Sequence, residues 1–298
     1  MVLSALSFAL MNLFVQLAGD LPTSQKAFFR NFIALIIATV TLIANKKSFI
    51  PQKKYLPSLL MRAVCGTLGI LCNFFALGRL HLSDASILNK MSPFFAVVFS
   101  ILILKEKIEP YRLLLVLGAF VGAVFVIKPS FSNPDILASL AGFAGGMGAG
   151  CAYTFVRKLG TAGCEKSYIV FFFSLFSTLV LTPFLIVNFK PMSLYQLIIL
   201  ILCGVAAAGG QYFITFAYSF APASRISVYD YSQLIFTTIL GFFIFGQVPD
   251  IYSFIGYFII ILMAVIMFIH NNKPAKAHQS REDKGSISGK HRLNGSGV

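Results

Sequence analysis

A chain of 298 residues that is 57% hydrophobic and only 11% charged, with a mean hydropathy of +0.83, does not have the composition of a soluble domain. The net charge of +14 would suit a nucleic-acid binder, but in a membrane protein lysine and arginine report orientation. Nucleic acid is therefore not needed to explain the basic excess, and the solvent to reason in is lipid.

Ten apolar runs, each near the ~20 residues that cross a bilayer as a helix, fall at 1–18, 27–44, 57–78, 83–104, 111–128, 135–156, 167–187, 194–218, 223–245 and 250–270. The first begins at the initiator Met with no basic leader and no small-residue cleavage site, so it reads as a transmembrane helix and not as a removed signal peptide. With the N-terminus in the cytoplasm, 18 Lys and Arg fall on the cytoplasmic side, among them Lys46, Lys47, Arg62, Lys105, Lys107, Arg157, Arg225 and six in the tail. Five fall opposite (Lys26, Arg30, Arg79, Lys128, Lys190), and Lys90 lies inside a span. The asymmetry predicts both termini in the cytoplasm. Beyond residue 270 large apolar residues all but vanish, which predicts a disordered, basic cytoplasmic tail over 271–298.

The five cysteines form no CxxC pair, and four of them, Cys65, Cys72, Cys151 and Cys203, lie in predicted spans and read as small packing residues. Of four histidines, His270, His278 and His291 fall at or beyond the last span, so neither a metal site nor a cofactor is expected.

Residues 82–106, LSDASILNKMSPFFAVVFSILILKE, overlay 223–247, ASRISVYDYSQLIFTTILGFFIFGQ, at a constant offset, and CGTLGILCNFF from Cys65 matches CGVAAAGGQYF from Cys203. Two units of five spans follow, 1–129 and 135–270. Five is odd, so the units point in opposite directions. Inverted repeats are a recurrent build of secondary transporters, with the substrate site near midplane where the halves meet.

Charges inside apolar spans need a partner or a task. Asp230, flanked by Tyr229 and Tyr231, lies about 10 Å into its helix if that helix starts near residue 223. Its repeat mate is Asn89, beside Lys90, which enters from the other face. That leaves an axial gap of about 10 Å between the two charges, too long for a direct salt bridge without snorkelling and suited to a small molecule that carries both charges. On one reading Lys90 faces a substrate carboxylate, Asp230 a substrate ammonium or sulfonium, and the tyrosines supply hydroxyls and ring faces, only one of them toward the cavity. On a second, Asp230 loads and releases a proton. On a third, each charge pairs with a neighbour, such as Asp84 or Arg225, as a fixture of the bundle. Arg30, three to four residues into the second run, is either an interfacial snorkelling arginine or part of a gate or substrate site. Asn12, Gln16, Asn73, Gln211 and Gln233 line a cavity or glue helices together; Asn73 and Gln211 occupy matched repeat positions. The cluster GFAGGMGAG, 142–150, lacks phosphate-loop spacing and predicts close helix packing, while Pro93, Pro183 and Gly209–Gly210 mark kink points.

KAFFRNFIAL around Arg30, DASILNKMSPFFAVVFSILILKEKI with Pro93 and Glu106, and GFFIFGQVPDIYSFIGYFIII with Gly256 together resemble the drug/metabolite transporter superfamily, in its ten-helix branch of two EamA-type repeats. The resemblance covers residues 1–270. It implies an all-α integral membrane carrier, proton-linked or gradient-driven, for a small metabolite in a bacterial inner membrane. AFFR, YDYSQL and FIFGQVPD are most similar to the S-adenosylmethionine uptake group, whose substrate carries a carboxylate, an ammonium and a sulfonium. The family usually has an acidic residue where Gln247 stands. Export of amino acids or drugs competes with uptake, and a homodimer is left open. A membrane-embedded enzyme is disfavoured, since there is no HExxH, no GxSxG and no clustered Ser, His and Asp. A structural or sensory protein would have no need of Lys90 and Asp230.

Overall fold

The computed structural model describes residues 1–47, 49, 52–104, 110–127, 135–220 and 229–271. Lys105, Glu106, Lys107, Lys128, Arg225 and the tail lie outside the described residues. Within them the chain is all-helical: α1 (Val2–Leu17), α2 (Thr23–Ala44), α3 (Leu56–Leu77), α4 (Leu82–Asn89), α5 (Ser92–Leu104), α6 (Pro110–Ile127), α7 (Ile136–Thr161), α8 (Lys166–Asn188), α9 (Leu194–Phe220), α10 (Ser232–Phe245) and α11 (Ile251–Asn271). A single 3-10 turn, Lys53–Tyr55, precedes α3. Because α4 and α5 form one interrupted span, the described helices make ten rods, five in each half, and each falls within or overlaps one of the ten apolar runs of the sequence. Seven are long and apolar enough on their own to cross a bilayer. Leu, Ile, Val and Phe side chains such as Leu114, Val187, Phe243 and Phe258 are more than half exposed on the outside of the bundle, as a lipid-facing surface requires.

The contacts between helices repeat when the halves are exchanged. The first rod of each half packs on the third and fourth rods of the other: α1 on α9 and α10, and α7 on α3, α4 and α5. α2 packs on α8, and α6 on α11, as self-matched pairs. This is the contact pattern of two halves related by a two-fold exchange, and with five rods in each half the exchange reverses their direction.

Glycine makes the α3–α7 seam possible. A Cβ at Gly148 would lie 2.9 Å from the Gly69 Cα and the Cys65 carbonyl oxygen, so the two backbones touch. Farther round α7, a Cβ at Gly146 would meet the Leu88 carbonyl oxygen at 2.6 Å and one at Gly150 would meet the Ser92 carbonyl oxygen at 2.6 Å. The cluster over 142–150 thus seats α7 against the point where α4 gives way to α5. α9 is a continuous helix through Gly209 and Gly210. Gly210 makes room for the Phe8 ring, whose Cε1 would be 2.7 Å from a Cβ.

Candidate functional site

The fourth rod breaks at Lys90 and Met91. Pro93 has no N–H for the Asn89 carbonyl and its ring clashes with that oxygen, so the helix stops at Asn89 and restarts at Ser92. The Phe94 N–H turns to the Met91 carbonyl at 3.0 Å, which frees the Lys90 carbonyl. That orphan is taken by the Tyr231 hydroxyl, which donates to it at 2.9 Å. Tyr231 stands at the matching break of the ninth rod, as the N-cap residue of α10, with the Leu234 N–H bonded to its carbonyl at 3.0 Å.

Across the two breaks Lys90 Nζ donates to Asp230 Oδ2 at 2.6 Å, with both residues almost fully buried. The expected 10 Å gap is therefore wrong. It assumed two straight helices, whereas both are interrupted here, and the four-carbon lysine stem adds reach. The neighbours suggested as partners are otherwise engaged or undescribed: Asp84 accepts from the Tyr257 hydroxyl at 2.7 Å, and Arg225 lies outside the described residues. Asp230 Oδ1 has no partner.

Beside this pair lies a cavity of about 50 Å³ between the halves. It is lined by Asn12, Arg30, Asn73, Asn89, Lys90, Gln211 and Gln233 of the predicted set. Arg62, Tyr153 and Phe173 also line it, and sequence reasoning missed all three. Of the remaining predicted residues, Asp230 meets the cavity only through Lys90. Tyr231 is buried against Phe94, and Tyr229 is half-exposed on the outer face, edge-on to Phe268. Gln16 lies apart, its amide donating to the Leu80 carbonyl at 3.4 Å.

Arg30 does not snorkel: it is 1% exposed. α2 begins at Thr23, four residues before the predicted start, because the polar Thr-Ser-Gln segment forms its first turn, and this sinks Arg30 about 10 Å into the helix. Arg62 also belongs to the bundle interior and not to the cytoplasmic loop, six residues past the start of α3. Its guanidinium stacks on the Phe173 ring at 3.8 Å from the centroid and donates through Nη2 to Gln211 Oε1 at 2.7 Å. The Arg30 guanidinium lies 5.6 Å from the same ring and donates through Nη1 to Asn31 Oδ1. Gly66 leaves room for the stack, since a Cβ there would run into Arg62 Nη1 and lie 2.8 Å from Phe173 Cε2. Around the cavity Arg30 Nε, Arg62 Nε, Asn12 Oδ1, Asn73 Oδ1 and Gln233 Oε1 have no partner. Such atoms are costly unless a ligand or water meets them.

Gln247 has a structural task despite not being acidic. Its Oε1 accepts from the Leu82 N–H at 2.8 Å and so caps the first turn of α4 from the other half. An amide oxygen serves there as a carboxylate would, without the charge. Among the described residues no cluster of His, Cys, Asp and Glu could hold a metal.

This architecture, ten rods in two exchanged halves around a small polar cavity, is that of a helical integral membrane protein. The model of the EamA-like transporter family matches residues 1–128 and 136–269, and the chain belongs to that family. It is 32% identical over 269 residues to the pseudopaline exporter CntI of Pseudomonas aeruginosa, covering 89% of this chain and 93% of that protein. It is 27% identical to a riboflavin transporter of Brucella anthropi, covering 84% and 90% of the two chains. It is 24% identical to solute carrier family 35 member G1 of Homo sapiens, covering 83% and 72%. A solved crystal structure shares the fold with a TM-score of 0.64 at 15% identity, covering 90% of this chain and 96% of the other.

Proposed function

We propose that this transporter is a secondary active carrier that moves a small, amino-acid-like metabolite through the midplane cavity by alternating access. The observation that carries the reading is the buried Lys90–Asp230 pair joining the broken rods of opposite halves beside that cavity. A 50 Å³ space is far below the 300–1,000 Å³ of ordinary ligand sites, so the halves must part for a metabolite to enter. Parting them strains or breaks the ion pair. Two events would compensate: a zwitterionic substrate whose carboxylate takes Lys90 and whose ammonium or sulfonium takes Asp230, or a proton on Asp230.

S-adenosylmethionine uptake is one substrate reading, supported by the sulfonium and ammonium that Asp230 could receive. Export of amino acids or drugs is the second, supported in its direction by the likeness to a pseudopaline exporter. The protein belongs to the inner membrane in this reading, with both termini in the cytoplasm. Once Arg30 and Arg62 are moved into the bundle, the charge balance is still 17 against four. Coupling to protons and a homodimer are further parts of the proposal.

The test is counterflow in proteoliposomes loaded with S-adenosylmethionine, amino acids, nucleosides or lipophilic cations, with and without an imposed pH gradient. Exchange that is abolished in Asp230→Asn and Lys90→Met supports the carrier reading and its site. Full exchange in both variants sinks the site, and no exchange of any compound sinks the carrier reading for these substrate classes. Native mass spectrometry of the same preparation reads the dimer.

A further inference from the structure

We propose that Arg30, Arg62 and Phe173 form an anion subsite that receives the carboxylates of a net-anionic substrate, a compound with at least two carboxyl groups. The inference rests on the carrier reading above and names the substrate class of its cavity.

The argument is one of uncompensated charge. Lys90 and Asp230 neutralise each other at 2.6 Å. Among the described residues the two guanidiniums have only amide oxygens as hydrogen-bond partners, Asn31 Oδ1 for Arg30 and Gln211 Oε1 for Arg62, and neither has a carboxylate partner. They are 1% and 2% exposed and line the same small cavity, which therefore carries two unbalanced positive charges in a low-dielectric medium. A cationic substrate would add to that charge. A dianion would cancel it, one carboxylate to each arginine.

The geometry is suited to the task. Both guanidiniums attend one aromatic ring, so their separation is at most the two ring distances laid end to end, within reach of a short dicarboxylate. The Arg62 guanidinium lies over the Phe173 ring, 3.8 Å from its centroid, and a planar guanidinium supported there can offer its N–H edge for paired bonds to a carboxylate. The Nε atoms of both arginines are buried without a partner. Gly66 preserves the stack by having no side chain. Asn12, Asn73 and Gln233 offer oxygens for an amino group between the carboxylates.

The experiment measures thermal unfolding of the full-length protein in detergent against matched acids and amides: succinate, glutarate, aspartate and glutamate beside succinamide, glutaramide, asparagine and glutamine, with S-adenosylmethionine included. At least one diacid is expected to raise the midpoint while its amide does not. Arg30→Gln and Arg62→Gln should each raise the apparent Kd for that diacid tenfold or more while keeping the wild-type helical circular dichroism. Arg62→Lys, which keeps the charge but loses the planar fork, should recover part of the loss. Equal stabilisation by acid and amide, or stabilisation by S-adenosylmethionine alone, would overturn the inference. So would an unchanged Kd in both Gln variants. Counterflow of the stabilising compound separates the two readings, because exchange of a neutral or cationic compound keeps the carrier and removes the anion site.

Discussion

The two halves share a skeleton and differ in their charges. Helix start to helix start, Arg30 of α2 stands where α8 has Phe173, and Arg62 of α3 stands where α9 has Leu200. At the breaks, Lys90 is matched by Tyr231 and Asn89 by Asp230. The first half therefore brings the three cations, while the second brings the one carboxylate and the ring that carries both guanidiniums. A repeated skeleton is what the proposed rocking of one half on the other requires, and a cargo without two-fold symmetry calls for a site without it, which is how these charges are arranged.

Breaking that asymmetry at its one ion pair is expected to have the largest effect. Asp230→Ala leaves the Lys90 ammonium buried and unpaired and should cost about 3–5 kcal/mol, read as a lower unfolding midpoint in detergent. The double variant Lys90→Met/Asp230→Leu should recover most of that stability and none of the transport. If the single and double variants are equally unstable, the pair is not the cause. Next in size is the seam that both halves share. Gly146→Val drives a side chain into the Leu88 carbonyl and should cost about 1–3 kcal/mol, whereas Gly19→Ala, in open space at φ 65°, should cost only the strain of a left-handed residue.

Smaller effects sharpen the comparison of the two breaks. Only the first break has a proline, and the carbonyl it frees depends on the second half for its partner. Tyr231→Phe should then cost about 1–3 kcal/mol by orphaning the Lys90 carbonyl, while leaving the Phe94 ring contact in place. Gln247→Ala should cost about 1 kcal/mol and Gln247→Glu next to nothing, since either side chain oxygen can cap α4. The smallest effect is chemical. Burial, with Glu165 adding to it, pushes the Cys164 thiol up to about 11, so maleimide should label it slowly at pH 7 and roughly tenfold faster per unit of rising pH below that value.

Periodicity and composition were sufficient for the rods because lipid admits so few alternatives: a backbone that cannot bond to water must satisfy itself, and in an apolar run of about 20 residues it does so as a helix. The break at Pro93 was legible for the same local reason. Most polar residues chosen for the cavity do line it, because a polar side chain in a greasy helix has few other places to go. Arg62 was missed because its position near the end of an apolar run looked like a loop charge, and helix depth depends on where the helix starts. Tyr229 was misdirected because side-chain direction beyond a helix break does not follow from counting residues.

The sequence by itself determined the medium, the ten helices, their division into two opposed fives and the presence of buried charges, all of which follow from transfer energies and backbone hydrogen bonding along the chain. Only the tertiary structure decided which charges meet. Lys90 and Asp230 are 140 positions apart, and Arg30, Arg62 and Phe173 come from three different helices. Their pairing is set by how glycine seams and broken rods bring the halves together. Contacts of that kind depend on distance in space, and no local pattern encodes it.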